Sequence, residues 1–423
     1  MGHTLAEKLL IKNTGEKNLK PGDIVTAYPD RYMIHDIYTP FLKRALNDMH
    51  VEKILHPERA VMFFDHLLPT NHYKTDPVHF RDGMYIAKKY GITDVHKGEG
   101  ICHALMHELR IAKPGELDIA TDSHTTTYGG AACFCTGVGH TEMAATLATG
   151  KIWLKVPVAL KFVLDGEFQP GVTAKDIILR ILGDIKSDGG QYKSMEFTGS
   201  AVRNMSMSSR FTMANLSLEA GAKVGLCEAD EKTAEYYHMP MKELEWLKID
   251  DDAEYEHVYH YDVSKLEPQL SCPQGVDNVH PISEIRGTKL DEVYIGSCTN
   301  GSLEDLAGAA KILKGKHIAP YTKLVVIPET NNVFKQAIKK GYIKTFIDAG
   351  GSVTHPSCGL CCGQPYGLMS DGEVVLGTNN RNFIGRMGTK KSLIYLSSPE
   401  TAAKSALSGY IDTTADIRES VAQ

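Results

Sequence analysis

Between Asp291 and Gly409, short apolar runs alternate with capped helices, and this rhythm restricts the fold more than any other feature of the chain. VYIG (293–296), KLVVI (323–327) and LIYL (393–396) have strand length, and Ser352 to His355 and Glu373 to Leu376 are further strand candidates. Ser302 with Asp305 forms a capping box, a helix runs from Asn331 to Gly341, and Ser397 with Glu400 opens a helix that closes at Gly409. Strands that each lead into a helix predict a largely parallel sheet with right-handed crossovers, and so an α/β fold.

The earlier part of the chain carries the same signals less densely. Thr4 and Glu7 cap a first helix that runs through Lys12. RAVMFF (59–64) ends on Asp65 and His66, and ELDIA (116–120) ends on Asp122, Ser123 and His124. A helix is expected from Thr141 to Trp153, and beyond Pro157 a β-rich run, Val158 to Leu164, starts a new domain. At 423 residues the chain is too long for one core, and it divides into α/β domains at 1–157, 158–287 and 288–423. Cys298, Cys358, Arg381, His66 and His124 all follow short apolar runs within a few residues. Ligands of open parallel sheets bind beyond the carboxyl ends of the strands, so these residues are expected around one central site.

Composition removes several functional classes. With 52 acidic and 46 basic residues the formal charge is −6, which provides no basic field for nucleic acid. No long uncharged apolar window predicts a membrane span, and MGHTLAEKLLIKNTGEK lacks the charged-then-apolar order of a secretory signal. Gly2 is followed by Ala6 where a myristoylation pattern needs Ser or Thr. Nine cysteines, an odd number, fit a reducing cytoplasm, where Cys227 and Cys272 are expected as small buried apolar residues. The acidic stretch Asp250 to Glu256 reads as a solvated loop.

The chemistry concentrates in PSCGLCCGQPYGLMSDGEVVLGTNNRNFIGRMG, where three cysteines fall within five positions and Asn380, Arg381 and Arg386 follow. Its distant partner is IGSCTNG, around Cys298. A structural zinc would need His355 as a fourth ligand, and a thioredoxin-like pair would leave IGSCTNG without a purpose. Thiolates from separate loops suit an iron–sulfur cluster, and three of them leave one iron of a cubane open. An open iron is a Lewis acid for a hydroxyl and an adjacent carboxylate. Arg381 and Arg386 would then hold carboxylates, and the pairs Asp65–His66 and Asp122–His124 would move protons.

FFDHLLPT, GEGICH, ATDSHTTTYGG, ATGKIWLKVP, IGSCTNGSLEDL, HPSCGLCCG, TNNRNFIGRMG and LSSPETAAKSALSG together resemble the aconitase superfamily over nearly the whole chain. The likeness is specifically to the large subunits of its isopropylmalate dehydratase and homoaconitase group. It implies three aconitase-like α/β domains with mostly parallel sheets around a central [4Fe–4S] cluster on Cys298, Cys358 and Cys361. It also implies that Asp65, His66, His103, Asp122, His124 and Glu196 surround the substrate and its departing oxygen. Substrate contacts are implied for Ser123, Asn380, Arg381, Arg386 and, in the first domain, His35. The implied reaction is reversible dehydration of a branched 2-hydroxy dicarboxylic acid, with isopropylmalate first and homoaconitase or 2,3-dimethylmalate chemistry as alternatives.

Relatives usually carry TxTHGA where this chain has Thr125 to Gly130 (TTTYGG), and Cys362 and the Cys133/Cys135 pair are additions. Cys133 and Cys135 are expected to pack. The family's general base sits in a Ser-Arg motif on a swivelling domain; Met207 to Arg210 is not in that context, and nothing after Gly409 is long enough to hold the domain. A small swivel-domain subunit is therefore expected as partner. An RNA-binding, cluster-sensing role and a zinc-stabilised scaffold are the readings from other classes, and the acidic balance counts against the first.

Overall fold

The computed structural model describes residues 2–68 and 73–412; positions 69–70, the end of FFDHLLPT, lie outside that range. The chain divides into two compact units. Of the described residues, one comprises 2–68, 73–98, 105–167 and 188–263, the other 99–104, 168–187 and 264–412.

Strands of the first unit are β1 (Ile24–Ala27), β2 (Arg31–His35), β3 (Ala60–Phe64), β4 (Asp94–Lys97), β5 (Leu117–Ala120), β6 (Phe134–Gly137), β7 (Ile152–Lys155), β8 (Ala159–Asp165), β9 (Ser194–Thr198), β10 (Val224–Cys227) and β11 (His257–Asp262). Five form a parallel sheet in the order β4-β3-β2-β5-β6. Every residue of β3 and β5 is buried, Asp118 of β5 included, as in a sheet covered on both faces. A second parallel sheet runs β10-β9-β8-β11, and β1 pairs antiparallel with β7. The first helix, Leu5–Thr14, has the expected Thr4–Glu7 box and ends on Gly15.

The helix expected to reach Trp153 stops at Thr149. Gly150 takes the left-handed conformation at φ 70°, and the alternating Ile152–Lys155 becomes β7. On TTTYGG, which forms a tight 3-10 helix over Ser123–Ala131, a Cβ at Gly129 would lie 1.8 Å from the carbonyl oxygen of Gly225. That approach to β10 excludes any side chain there.

The second unit holds β12 (Gln269–Ser271), β13 (Val279–Pro281), β14 (Glu292–Gly296), β15 (Lys323–Ile327), β16 (Ser352–Val353), β17 (Val374–Gly377) and β18 (Leu393–Leu396). Their order is β13-β12-β18-β17-β14-β15-β16, parallel from β18 to β16, with β12 antiparallel to both neighbours. Leu306, Ala309 and Leu313 of helix Leu303–Leu313, and Ala402, Ala403 and Ala406 of helix Pro399–Ser408, share one core with Val293, Ile295 and Leu376. Ser302 and Asp305 cap the first of these helices as expected. The second is capped by Ser398, whose hydroxyl accepts from the Thr401 N–H, and not by Ser397. One residue of offset decides which hydroxyl reaches the first turn.

Both larger sheets are wound alike. The chain lays down β2, β3 and β4 toward one edge, then crosses over to place β5 and β6 on the other; β14 to β18 repeat that order. Each sheet thus has a switch point, at β2/β5 and at β14/β17, where the crevice beyond the carboxyl ends opens. The five-stranded sheet spans residues 31–137, the four-stranded one 159–262 and the seven-stranded one 269–396, so the last begins before the boundary expected at 288.

Candidate functional site

In the first unit the switch point gathers imidazoles and carboxylates. His35 closes β2, Asp65 and His66 follow β3, and Asp122 follows β5. Nδ1 of His66 is 2.9 Å from Oδ1 of Asp65, and its Nε2 is 3.7 Å from Oδ2 of Asp122. The same Asp122 oxygen is 3.6 Å from Nε2 of His35, and the His35 and His66 rings stand 4.5 Å apart. Asp122 also caps the 3-10 helix by accepting from the His124 N–H at 2.8 Å, and the His124 ring reaches Glu219 at 2.8 Å. Ser123, half-buried, starts that helix. All are buried or nearly so, which strengthens each pairing relative to water.

Two members of this group had no role in the sequence argument. Asp36 accepts from the backbone N–H groups of His66 and Leu67 at 3.3 and 2.8 Å. Its place beside His35 repeats the Asp65–His66 adjacency and could have revealed it. Glu219 is far from His124 in sequence and carried no signal.

Glu196 lies elsewhere. It sits mid-strand in β9, fully buried, accepting from the N–H groups of Leu5 and Ala6 and from the Tyr255 hydroxyl at 3.1, 2.9 and 2.8 Å. Burial pushes its carboxyl above the ordinary range, against those hydrogen bonds. It anchors the start of the first helix. Cys133 and Cys135 are buried, and the Cys133 thiol meets the carbonyl of Glu116 and the carboxylate of Asp118, both at 3.4 Å. Arg210 is buried in helix Met207–Leu216 and paired with Asp230.

In the second unit the switch point gathers sulfur. Gly296 has φ 153°, and a Cβ there would lie 2.5 Å from the Ile327 carbonyl; Ser297 follows at φ 90°, strained for a residue with a side chain. This bend presents Cys298 just beyond β14. Asn380, beyond β17, donates from Nδ2 to the Cys298 sulfur at 3.4 Å, and its Oδ1 lies 3.9 Å from Cys298 Sγ and 4.0 Å from Cys361 Sγ. Hydrogen bonding with Cys361 and Cys362, then burial, holds the Cys358 thiol well above its usual range. Arg386 donates from Nε to the Cys361 carbonyl at 2.6 Å, and Arg381 is half-buried just after Asn380. The Cys362 thiol turns to the Gly359 carbonyl at 3.2 Å, and His355 spends Nδ1 on the Pro356 carbonyl at 2.9 Å. Buried His103 opens helix Cys102–Glu108, next to residues 99–101, which pair with 329–331.

The donor set suits an iron–sulfur cluster. Three thiols from two loops converge, and Cys358, hydrogen bonded to Cys361 and Cys362, resists deprotonation in the absence of a cation. Among the described residues the buried Tyr294 hydroxyl has no hydrogen-bond partner, and the thiols of Cys361, Cys358, Cys362 and Cys298 are the titratable groups around it. An acceptor such as a sulfide would satisfy it.

The profile of the aconitase family, described as aconitate hydratase, matches residues 7–288 and 283–409. A 3-isopropylmalate dehydratase large subunit from Pyrococcus furiosus is 42% identical over 98% of this chain and 99% of its own length. One from Archaeoglobus fulgidus is 44% identical over 99% of this chain and 100% of its own length, and one from Aquifex aeolicus 42% identical over 97% and 96%. The crystal structure of aconitase X from Thermococcus kodakaraensis covers 89% of this chain and 88% of its own, with a TM-score of 0.50 at 12% identity, a likeness of fold alone. The chain belongs to the aconitase family. It is a hydro-lyase of that family, whose members characteristically use an iron–sulfur cluster.

Proposed function

We propose that this chain is the large subunit of a 3-isopropylmalate dehydratase and holds a [4Fe–4S] cluster on Cys298, Cys358 and Cys361. One observation carries the cluster assignment: Asn380 touches the sulfurs of both Cys298 and Cys361, residues 63 positions apart in the chain. Full-length identity to dehydratase large subunits favours isopropylmalate over homoaconitase or 2,3-dimethylmalate chemistry, and over RNA binding.

When bound, such a cluster supplies a Lewis acid at the iron that no cysteine ligates. The chain's own residues supply the rest. Arg386 is held against the cysteine loop by its Nε bond to the Cys361 carbonyl and by the Cys361 thiol; with Arg381 it is suited to clamp carboxylates. His66, held by Asp65, is suited to pass a proton to the departing oxygen, with Asp122, His35 and His124 in the relay. Ser123 and His103 are assigned to substrate contact. Glu196 is assigned a structural role, because its carboxylate is occupied by the first helix.

Removal of the carbon-bound proton needs a further base, which a small swivel-domain subunit would bring. We place the enzyme in the cytoplasm, where its nine cysteines stay reduced. Among the described residues no helix is long and apolar enough to cross a membrane. The test is anaerobic reconstitution of the chain with iron and sulfide. About four irons, matching sulfide and broad visible absorbance are expected, and Cys358→Ser should abolish them. A Cys358→Ser variant that kept the absorbance would overturn the ligand assignment.

A further inference from the structure

Lys175 is fully buried in the second unit, one residue into helix Ala174–Ile185. Three costs meet at this position. A buried ammonium loses its hydration, a cation in the first turn opposes the helix dipole, and among the described residues no carboxylate lies within ion-pair distance. Its hydrogen bonds go to the carbonyl oxygens of Thr378 and Asn379, at 2.9 and 2.8 Å, and to the Thr299 hydroxyl at 3.5 Å. The neighbouring carboxylates are occupied: Asp176 by Thr173 and the Gln269 N–H, Asp305 by Ser302 and Asn300. Burial pulls the ammonium down to about 8, although the Cys361 and Cys298 sulfurs favour its charge ahead of Asp305 and Asp176.

A buried cation in such a place needs a compensating anion, and the sulfurs are the groups positioned to provide it. Thr378 and Asn379 lead directly into Asn380, which touches two of those sulfurs, and Thr299 follows Cys298. Thr299 also bonds the Thr378 carbonyl at 3.1 Å and Asn380 Oδ1 at 3.3 Å. Lys175 therefore grips both switch-point loops, the one after β14 that carries Cys298 and the one after β17 that carries Asn380.

We infer that Lys175 is a positioning residue for the cysteine cradle, whose buried positive charge offsets the negative charge of a thiolate-held cluster and sets its reduction potential. The inference rests on the cluster reading proposed above. A nearby cation favours the more negative, reduced state, so removing it lowers the potential; it also weakens retention of iron.

The test compares the reconstituted wild-type chain with Lys175→Gln, Lys175→Met and Lys175→Arg. Iron and sulfide per chain, the rate of iron loss to a chelator, the reduction potential and thermal unfolding are measured. Gln retains a donor for the two carbonyls without the charge, so it isolates the charge even if the Met variant fails to fold. Iron loss on the order of 10–100-fold faster and a lower potential are expected for Gln and Met, with the potential restored by Arg. A Gln variant with wild-type iron retention and potential overturns the inference, as does a fall in thermal stability across all three variants with no change in potential. A wild-type chain that takes up no iron and sulfide sinks the cluster reading itself. Loaded wild type with an indistinguishable Gln variant sinks this inference alone.

Discussion

The Asp65 carboxylate lies 2.9 Å from Nδ1 of His66, and both side chains are buried. A carboxylate so placed fixes the tautomer and orientation of the imidazole. Asp65→Asn should lower kcat by roughly 10²–10⁴-fold in the presence of the partner subunit, with thermal stability little changed. Activity close to wild type would remove this pair from proton transfer.

Asn380 is the amide on which Cys298 and Cys361 meet. Asn380→Leu removes the donor to Cys298 without shrinking the side chain much. Iron should be lost on the order of 10–100-fold faster, measured by chelator competition. Wild-type retention would show that the contact is incidental.

Glu196 satisfies the first two N–H groups of helix Leu5–Thr14 and the Tyr255 hydroxyl. Glu196→Ala strands those donors in the interior, at a cost of about 3 kcal/mol in urea unfolding. A cost below about 0.5 kcal/mol, with activity abolished, would return Glu196 to the catalytic group.

Asp176 is held at about 6 by burial, although Gln269 and Thr173 hydrogen bond to it. Because its folded value lies above the ordinary 3.8, its contribution to stability is full below that value and lost as pH rises through about 6. The stability of wild type relative to Asp176→Asn should therefore fall by up to about 3 kcal/mol between pH 4 and pH 7. A difference independent of pH would mean that the carboxyl is not perturbed as described.

Much of the fold was open to sequence reading because it rests on local chemistry. Capping boxes at Thr4–Glu7 and Ser302–Asp305 formed where their side chains could reach neighbouring amides. Wholly apolar β3 and the buried run of β14 became parallel strands because their apolar side chains leave water on both faces of a sheet. The misjudged boundaries were also local: Gly150 ends its helix early, and Ser398 outcompetes Ser397 as cap.

By itself, the sequence determined the alternation of strand and helix, the cysteine loops and the polar residues that follow each strand, since these depend on neighbours a few residues away. Only the tertiary structure decided which of those residues meet. Asp36 and Glu219 joined the imidazoles, Glu196 went to a helix terminus, and Lys175 settled beneath loops more than a hundred residues away in the chain. A buried charge is tolerated only where a partner awaits it, and that partner is chosen by strand order, which no local signal records.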